Sequence, residues 1–389
     1  MTGFVPALRA AEALDADMDG ATNLEEITAS TLPADARSVP RITGPCQGSN
    51  AYYSLCQYDR SYVFHKLHLD FCGRAASLED REAFAGLDES GQDRAIDAAL
   101  TGCLRTNNWI GKDGVVWRMA HRKVKPLQAI KSGDNRGVIP LADYDDDYNL
   151  FMFANTGDRD VRDLLKADYF VRRTDGTPTT YARVASLGSQ SIPQMRRVGM
   201  LTTKWFLVYN VMFTALPRTA AAQAYRAYLN LDIAKLEGLQ RVSGEPVDYD
   251  ARGVQADACK ECHATLDPLT YPFRNYDGLD NQPFGSYVDR RIERTFSDIA
   301  PGIGGIPETG VVLGQPVANL VEWGRVAADS DEFAKAVVED YWNLLIEKRP
   351  QGEERDEYVT LWQALKTTHA YHVEDMLHAL VRTEAYGVP

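Results

Sequence analysis

The chain has no run of about 18 or more apolar residues, the length a membrane-crossing helix needs. Its longest apolar clusters, such as "WFLVYNVMF" at 205–213, reach roughly half of that, so no segment is a candidate transmembrane helix. No export signal is visible in "MTGFVPALRAAEALDADMDG", which has neither a basic segment nor an apolar one, so an exported protein would have had its signal removed. Positive charge is scarce. Lys and Arg number 42 against 55 Asp and Glu, a net charge of -13, which repels phosphate backbones and anionic lipid headgroups and excludes nucleic acid as a partner. The chain also lacks a serine-nucleophile elbow, a His-Glu-x-x-His helix and a Gly-Lys phosphate loop. The glycines of "PGIGGIPETG", within 296–318, open no convincing helix, which excludes a dinucleotide site.

What remains is a long globular chain. Its 389 residues, 44% of them hydrophobic, suffice for two or three cores. Strand signals are few, whereas helical periodicity recurs. Phe333, Val337, Val338, Tyr341, Trp342 and Leu345 share one face, as do Leu361 and Leu365, then Met376, Leu377, Leu380 and Val381. After Pro217, "RTAAAQAYRAYLNLDIAKLEGL" is rich in helix formers and sets Tyr225, Leu229, Ile233 and Leu236 on one stripe. The expected fold is mainly α, a helical multi-unit protein with long ordered loops at 240–258 and 296–318. The six cysteines are Cys46, Cys56, Cys72, Cys103, Cys259 and Cys262. The first four form an even set in one N-terminal region, as two disulfides of an oxidising compartment would. Three pairings of these four are open to the sequence, and the favoured one, Cys46–Cys56 with Cys72–Cys103, closes the shortest separate loops. Four buried thiols in a cytosolic protein are the alternative.

Near the N-terminus, "DADMDGATNLEE" has the spacing of an EF-hand calcium loop. Asp15, Asp17, Asp19 and Asn23 would supply side-chain oxygens, Ala21 its carbonyl, Gly20 the sharp turn and Glu26 a bidentate carboxylate. Thr22 stands where paired EF-hands carry a bulky aliphatic, and no partner loop exists. Such an unpaired loop resembles the single calcium repeats of secreted bacterial proteins, which implies one structural Ca2+ rather than a sensor's. The competing reading is an acidic turn capping the helix that begins near Leu24.

The stretch "ACKECHATLDP" at 258–268 carries the chemistry. Covalent haem attachment needs two thiols spaced to add to the two porphyrin vinyl groups, with an imidazole in the same turn to ligate iron. Cys259 and Cys262 meet the first demand and His263 the second. A zinc site would need a further ligand from a second knuckle, and no other Cys-x-x-Cys or suitably spaced His pair exists. His65 with His68, and His369 with His372, read as structural neighbours on helices. A redox disulfide would need a buried strand before the motif, where 240–258 is polar. Haem is the leading reading, with the other two still open.

From Arg196 onward, "RRVGMLTTKWFLVYN", "PRTAAAQAYRAYL" and "CKECHATLDPLTYPFRNYDGL" resemble the haem-binding unit of the planctomycete-type c cytochromes, extracytoplasmic proteins marked by CxxCH followed by D-P-L-G-F and E-N-F-D. The matching positions are Asp267, Pro268, Leu269, Phe273, Asn275, Tyr276 and Asp277. Thr270, Tyr271, Pro272 and Arg274 depart from that pattern, as does "RTAAA" from "RTSPV". The segments "DRDVRDLLKADYFV" at 158–171 and "SDEFAKAVVEDYWNLLIEKRP" are similar to the helical domains flanking that unit. Taken with composition, this divides the chain into 1–40 (calcium loop and linker), 41–150 (helical, disulfide-containing), 151–195 (helical connection), 196–295 (c-type haem-binding domain) and 296–389 (C-terminal helical domain).

The resemblance implies one covalent haem c. Met200 and Met212, with Met195 behind them, are the candidate sixth ligands. Arg218 is a candidate partner for a haem propionate, or a surface or capping residue. Pro268 is a candidate backbone acceptor for the His263 ring nitrogen that faces away from iron. Tyr271, Phe273 and Tyr276 would wall the macrocycle or form core. The leading function is an exported, periplasmic or extracellular, single-haem electron-transfer protein. Its surplus chain and acidic surface suit docking on a redox partner within a larger assembly, including a membrane-bound one. The alternatives are a haem enzyme, peroxidase- or oxygenase-like, with a base such as His121 or His372, and a binding module with structural haem and calcium.

Overall fold

A computed structural model describes residues 11–12, 14–18, 21–29, 32–35, 58–124, 144–187, 192–350 and 354–388. Its helices are α1 (Asn23–Ala29), α2 (Arg60–Asp70), α3 (Leu78–Ala85), α4 (Glu89–Cys103), α5 (Asn107–Ile110), α6 (Val115–Val124), α7 (Tyr144–Asn155), α8 (Asp163–Lys166), α9 (Lys204–Asn210), α10 (Arg218–Tyr228), α11 (Asp257–Thr270), α12 (Arg291–Thr295), α13 (Leu320–Ala328), α14 (Asp331–Leu345), α15 (Glu354–Lys366), α16 (Val373–Leu380) and α17 (Glu384–Gly387). The strands among the described residues form two antiparallel pairs. In one, β1 (Phe170–Thr174) faces β2 (Thr180–Val184) with Phe170 opposite Val184. In the other, β3 (Gly310–Val312) faces β4 (Gln315–Val317) with Gly310 opposite Val317. The protein is mainly helical, as expected, and no helix of the described residues is long and apolar enough to cross a membrane.

The contacts group the chain into two compact units. One comprises the described residues up to Leu104 together with 337–370 and 375–388. The other comprises 105–336 with 371–374. This grouping differs from the five consecutive segments drawn from sequence. Most of the C-terminal stretch joins the N-terminal helices, while 296–336 joins the unit that contains the cysteine–histidine motif.

In the first unit, side chains start the helices by taking up backbone N–H groups that have no intrahelical partner. Asp59 accepts from the N–H of Ser61 and Tyr62 at α2, Ser77 and Asp80 form a capping box at α3, and Asp88 accepts from Gly91 at α4. Val63, Phe64 and Leu67 of α2 are buried, and a Cys72–Cys103 disulfide ties the end of that helix to the last residue of α4. Cys46 and Cys56 lie outside the described residues. His68 is structural, its Nδ1 2.7 Å from the Phe64 carbonyl one turn back. From the C-terminal stretch, Tyr386 donates to Asp70 at 2.9 Å, and Trp342 meets Tyr358 edge to face. Every residue of the stripes read from 333 to 345 and from 361 to 381 is buried.

In the second unit, α7 packs against α6, α9 and β1. Asp146 of α7 pairs with Arg197, both with fully buried side chains, and Arg197 also donates through Nε to the Tyr169 carbonyl at 3.1 Å. The connection expected to be helical at 151–195 contains the β1–β2 hairpin. The stripe after Pro217 is interrupted. Helix α10 ends at Tyr228, Asn230 takes a left-handed conformation at φ 51°, and the N–H groups of Leu229 and Leu231 both close on the Tyr225 carbonyl. Asparagine tolerates that conformation, so the helix stops there although good helix formers lie beyond it. Leu236, placed on the buried stripe by periodicity, is 61% exposed.

Candidate functional site

Helix α11 holds the whole "CKECH" motif. Cys259 is its third residue, and Cys262 and His263 come within a turn of it, on the same face at spacings of three and four. Lys260 pairs with Asp257 and Glu261 with Arg241, so the residues between the thiols are tied to solvent-facing partners. Both thiols are partly exposed and neither is disulfide-bonded. Burial, and secondarily the charge of Asp267, pushes the Cys262 thiol up, the opposite of the thiolate a redox disulfide employs. The preceding segment is turn rather than strand, which removes the other requirement of that reading.

His263 is held from below. Its Nδ1 lies 2.9 Å from Oδ1 of Asp267, one helical turn on, and the Asp267 side chain is completely buried. Arg218, the first residue of α10, clamps the same carboxylate with two bonds, Nε to Oδ1 at 2.6 Å and Nη2 to Oδ2 at 2.9 Å. Its third nitrogen, Nη1, donates to Asp250 at 3.0 Å. Burial would lower the Arg218 pKa, but the bonds and charges of Asp267 and Asp250 outweigh it and raise the pKa further above its ordinary value. Buried carboxylates persist only when paired in this way. The expected propionate partner is thus engaged by two protein carboxylates.

Pro268 plays a different part from the one expected. A proline has no N–H to give to the carbonyl four residues back, here Ala264. That carbonyl accepts instead from Val242 N–H at 3.2 Å, which fastens the 240–258 loop to α11. The Pro268 carbonyl packs against β3, where only a glycine at 310 leaves it room. The ring nitrogen of His263 is held by the Asp267 side chain, and the carbonyl assigned to that task from sequence lies elsewhere. Pro268 is also about 140° round the helix from His263. It borders a largely apolar cavity of about 560 Å³ with Tyr271, Val311, Val317 and Glu245, so that cavity and the imidazole belong to different faces of α11.

The candidate methionines are dispersed. Met200 is 1% exposed and lines a small cavity with Asp147, Trp205 and Phe206 that includes no residue of the motif. Met212 has φ 50° and is 43% exposed, while Met195 is 79% exposed. Tyr271, Phe273 and Tyr276 are core residues at 2% exposure or less. Tyr271 donates to Glu245, Tyr276 to the Arg196 carbonyl, and Asp277 pairs with a fully buried Arg291 that also reaches Asp280. The candidate bases are engaged elsewhere: His121 Nδ1 lies 2.7 Å from the Tyr148 hydroxyl, and His372 Nδ1 lies 2.8 Å from Asp158.

At the proposed calcium loop, Thr22 and Glu25 cap α1 reciprocally, Glu25 taking the Thr22 N–H at 2.8 Å. The Asn23 side-chain oxygen accepts from Ala16 N–H at 3.2 Å. Glu26 is fully buried, Ala21 is 7% exposed, Asp17 is half-buried and Asp15 is exposed. Asp19 and Gly20 lie outside the described residues. Among the described residues, no group of three or more His, Cys, Asp or Glu is arranged to hold a metal ion.

Sequence reasoning missed Asp267 as the partner of His263, although a spacing of four on a helix is a readable signal. It also missed Asp250, which has no local signature. No protein family, curated protein or solved structure matches the chain.

Proposed function

We propose that this protein is an exported c-type cytochrome in which Cys259 and Cys262 carry one haem through thioether bonds and His263 is the protein's iron donor. The observation that supports this most is the His263–Asp267 pair. A carboxylate only accepts, so the proton of the neutral ring sits on Nδ1 and the Nε2 lone pair is left to a metal, with two unoxidised thiols within a turn on the same face. The donor set fits the group, since the thiols need only add to vinyl carbons and one imidazole suffices on this helix. When bound, the haem supplies reversible one-electron chemistry. The residues of the chain hold and orient it: α11 presents the three attachment side chains, and Asp267 fixes the imidazole. The -13 net charge suits docking on a basic redox partner, in a periplasmic or extracellular assembly where the Cys72–Cys103 disulfide would persist. A structural Ca2+ at Asp15, Asp17, Asp19, Ala21, Asn23 and Glu26 belongs to the same proposal.

A second reading, a haem enzyme, draws on the same carboxylate, because a strongly donating imidazole also favours catalysis at an open iron. One experiment tests both. The chain is produced with a cytochrome-maturation apparatus, and its intact mass and its visible spectrum with and without carbon monoxide are recorded. Covalent haem with a spectrum unmoved by carbon monoxide supports electron transfer, and one that shifts supports catalysis. Colourless protein with a free dithiol or bound zinc overturns both.

A further inference from the structure

We infer that Asp267, Arg218 and Asp250 form a charge ladder behind His263 that sets the tautomer and the donor strength of its ring. The inference rests on the proposed haem attachment only for its consequence at iron. Three separate stretches of chain meet here, the first residue of α10, the 248–252 loop and the middle of α11, in the order Asp250, Arg218, Asp267, His263. Asp267 is 0% exposed and water cannot take over its bonds, so its two oxygens are committed to the guanidinium and the imidazole. Only arginine can span two carboxylates with this geometry, since lysine has a single nitrogen to offer. Two carboxylates against one guanidinium leave the ladder with an excess of negative charge, which draws the Nδ1 proton and strengthens Nε2 as a donor.

The three members are positioning residues, and each has its own sign. Removing the Asp267 charge weakens the donor. Removing the Arg218 charge strengthens it, because Asp267 then acts on the ring uncompensated. Removing the Asp250 charge weakens it by a smaller amount, because Arg218 then acts on Asp267 alone. A stronger donor favours oxidised iron and lowers the midpoint potential.

The test has two arms. In the first, the full chain without haem is labelled with nitrogen-15, and the His263 tautomer is read by long-range nitrogen–proton correlation above the range where imidazole titrates. The expected result is the Nδ1–H form in the wild type and its loss in Asp267→Ala, with Asp267→Asn restoring it through the amide oxygen. An Nε2–H form in the wild type overturns the inference, whatever becomes of the haem. In the second arm, midpoint potentials of the haem-loaded protein are compared: Asp267→Asn is expected above wild type, Asp250→Asn slightly above, and Arg218→Gln below. Loss of one common fold would move all three the same way, and three shifts of one sign, or none, overturn the ladder. A chain that takes up no haem sinks the function proposed above, while the first arm still decides the tautomer.

Discussion

Replacing both Cys72 and Cys103 by alanine removes a cross-link that spans 31 residues. Loop-closure entropy of about 12 cal/mol/K for a ring of that size corresponds to about 3.7 kcal/mol at 25 °C. In a unit of this size that amounts to a fall in melting temperature of about 7–15 °C. The disulfide joins the end of α2 to the end of α4, which already pack on each other, so the native contacts survive the change and the loss falls mainly on the unfolded chain. The assay is urea unfolding followed by circular dichroism. Substitution serves better than a reductant, which would act on every other disulfide of the chain as well. The midpoint should fall while the slope against urea rises, because an uncross-linked chain exposes more surface. A difference below about 1 kcal/mol with an unchanged slope would refute the reasoning, as would recovery of Cys72 and Cys103 as alkylated thiols from unreduced protein.

Other outcomes are equally direct. Single Cys259→Ala and Cys262→Ala variants should each keep one thioether and the double variant none, as read by intact mass after acid extraction of free haem. Calorimetric titration with Ca2+ should show one site that Glu26→Gln abolishes and Glu25→Gln retains, since Glu25 is spent on the Thr22 cap while Glu26 points inward. Arg291→Met leaves Asp277 and Asp280 without their buried guanidinium and should cost about 3–5 kcal/mol in urea unfolding. Glu357 is raised to about 7, chiefly by burial and against the N–H groups of Ala385 and Glu384, from an ordinary 4.5. Its protonation therefore favours the fold below pH 4.5, and that contribution is lost as pH climbs to about 7. Relative to Glu357→Gln, the wild type should weaken over that interval by up to about 3 kcal/mol, and parallel pH profiles would contradict the assignment.

The helical stripes were readable because burial on a helix repeats every three or four residues, and Trp342 or Leu377 fits that rhythm whatever its neighbours are. The end of α10 was not, because a single left-handed Asn230 overrides a favourable run of helix formers. The cysteine–histidine spacing was visible as a string of five residues. Its support was only half visible: Asp267 stands one turn beyond His263, but Arg218 lies 49 residues from Asp267, and only the packing of α10 on α11 unites them. Pro268 draws notice in the sequence for the carbonyl it has, whereas its effect comes from the N–H it lacks. The N-terminal acidic spacing was legible as a pattern, and Glu26 and Glu25, adjacent and chemically alike, part company only once the helix turns one inward.

The interleaved grouping of the chain has a consequence for its biogenesis. Helices α2 to α4 share a core with α15 and α17, yet residues 105–336 must be made in between. At ~5–20 residues per second, that leaves an interval of about 10–50 s in which the earliest helices are out of the ribosome with their apolar sides uncovered. Their covalent clasp needs nothing later than Cys103, so once an oxidising compartment is reached it can close before the late companions have docked.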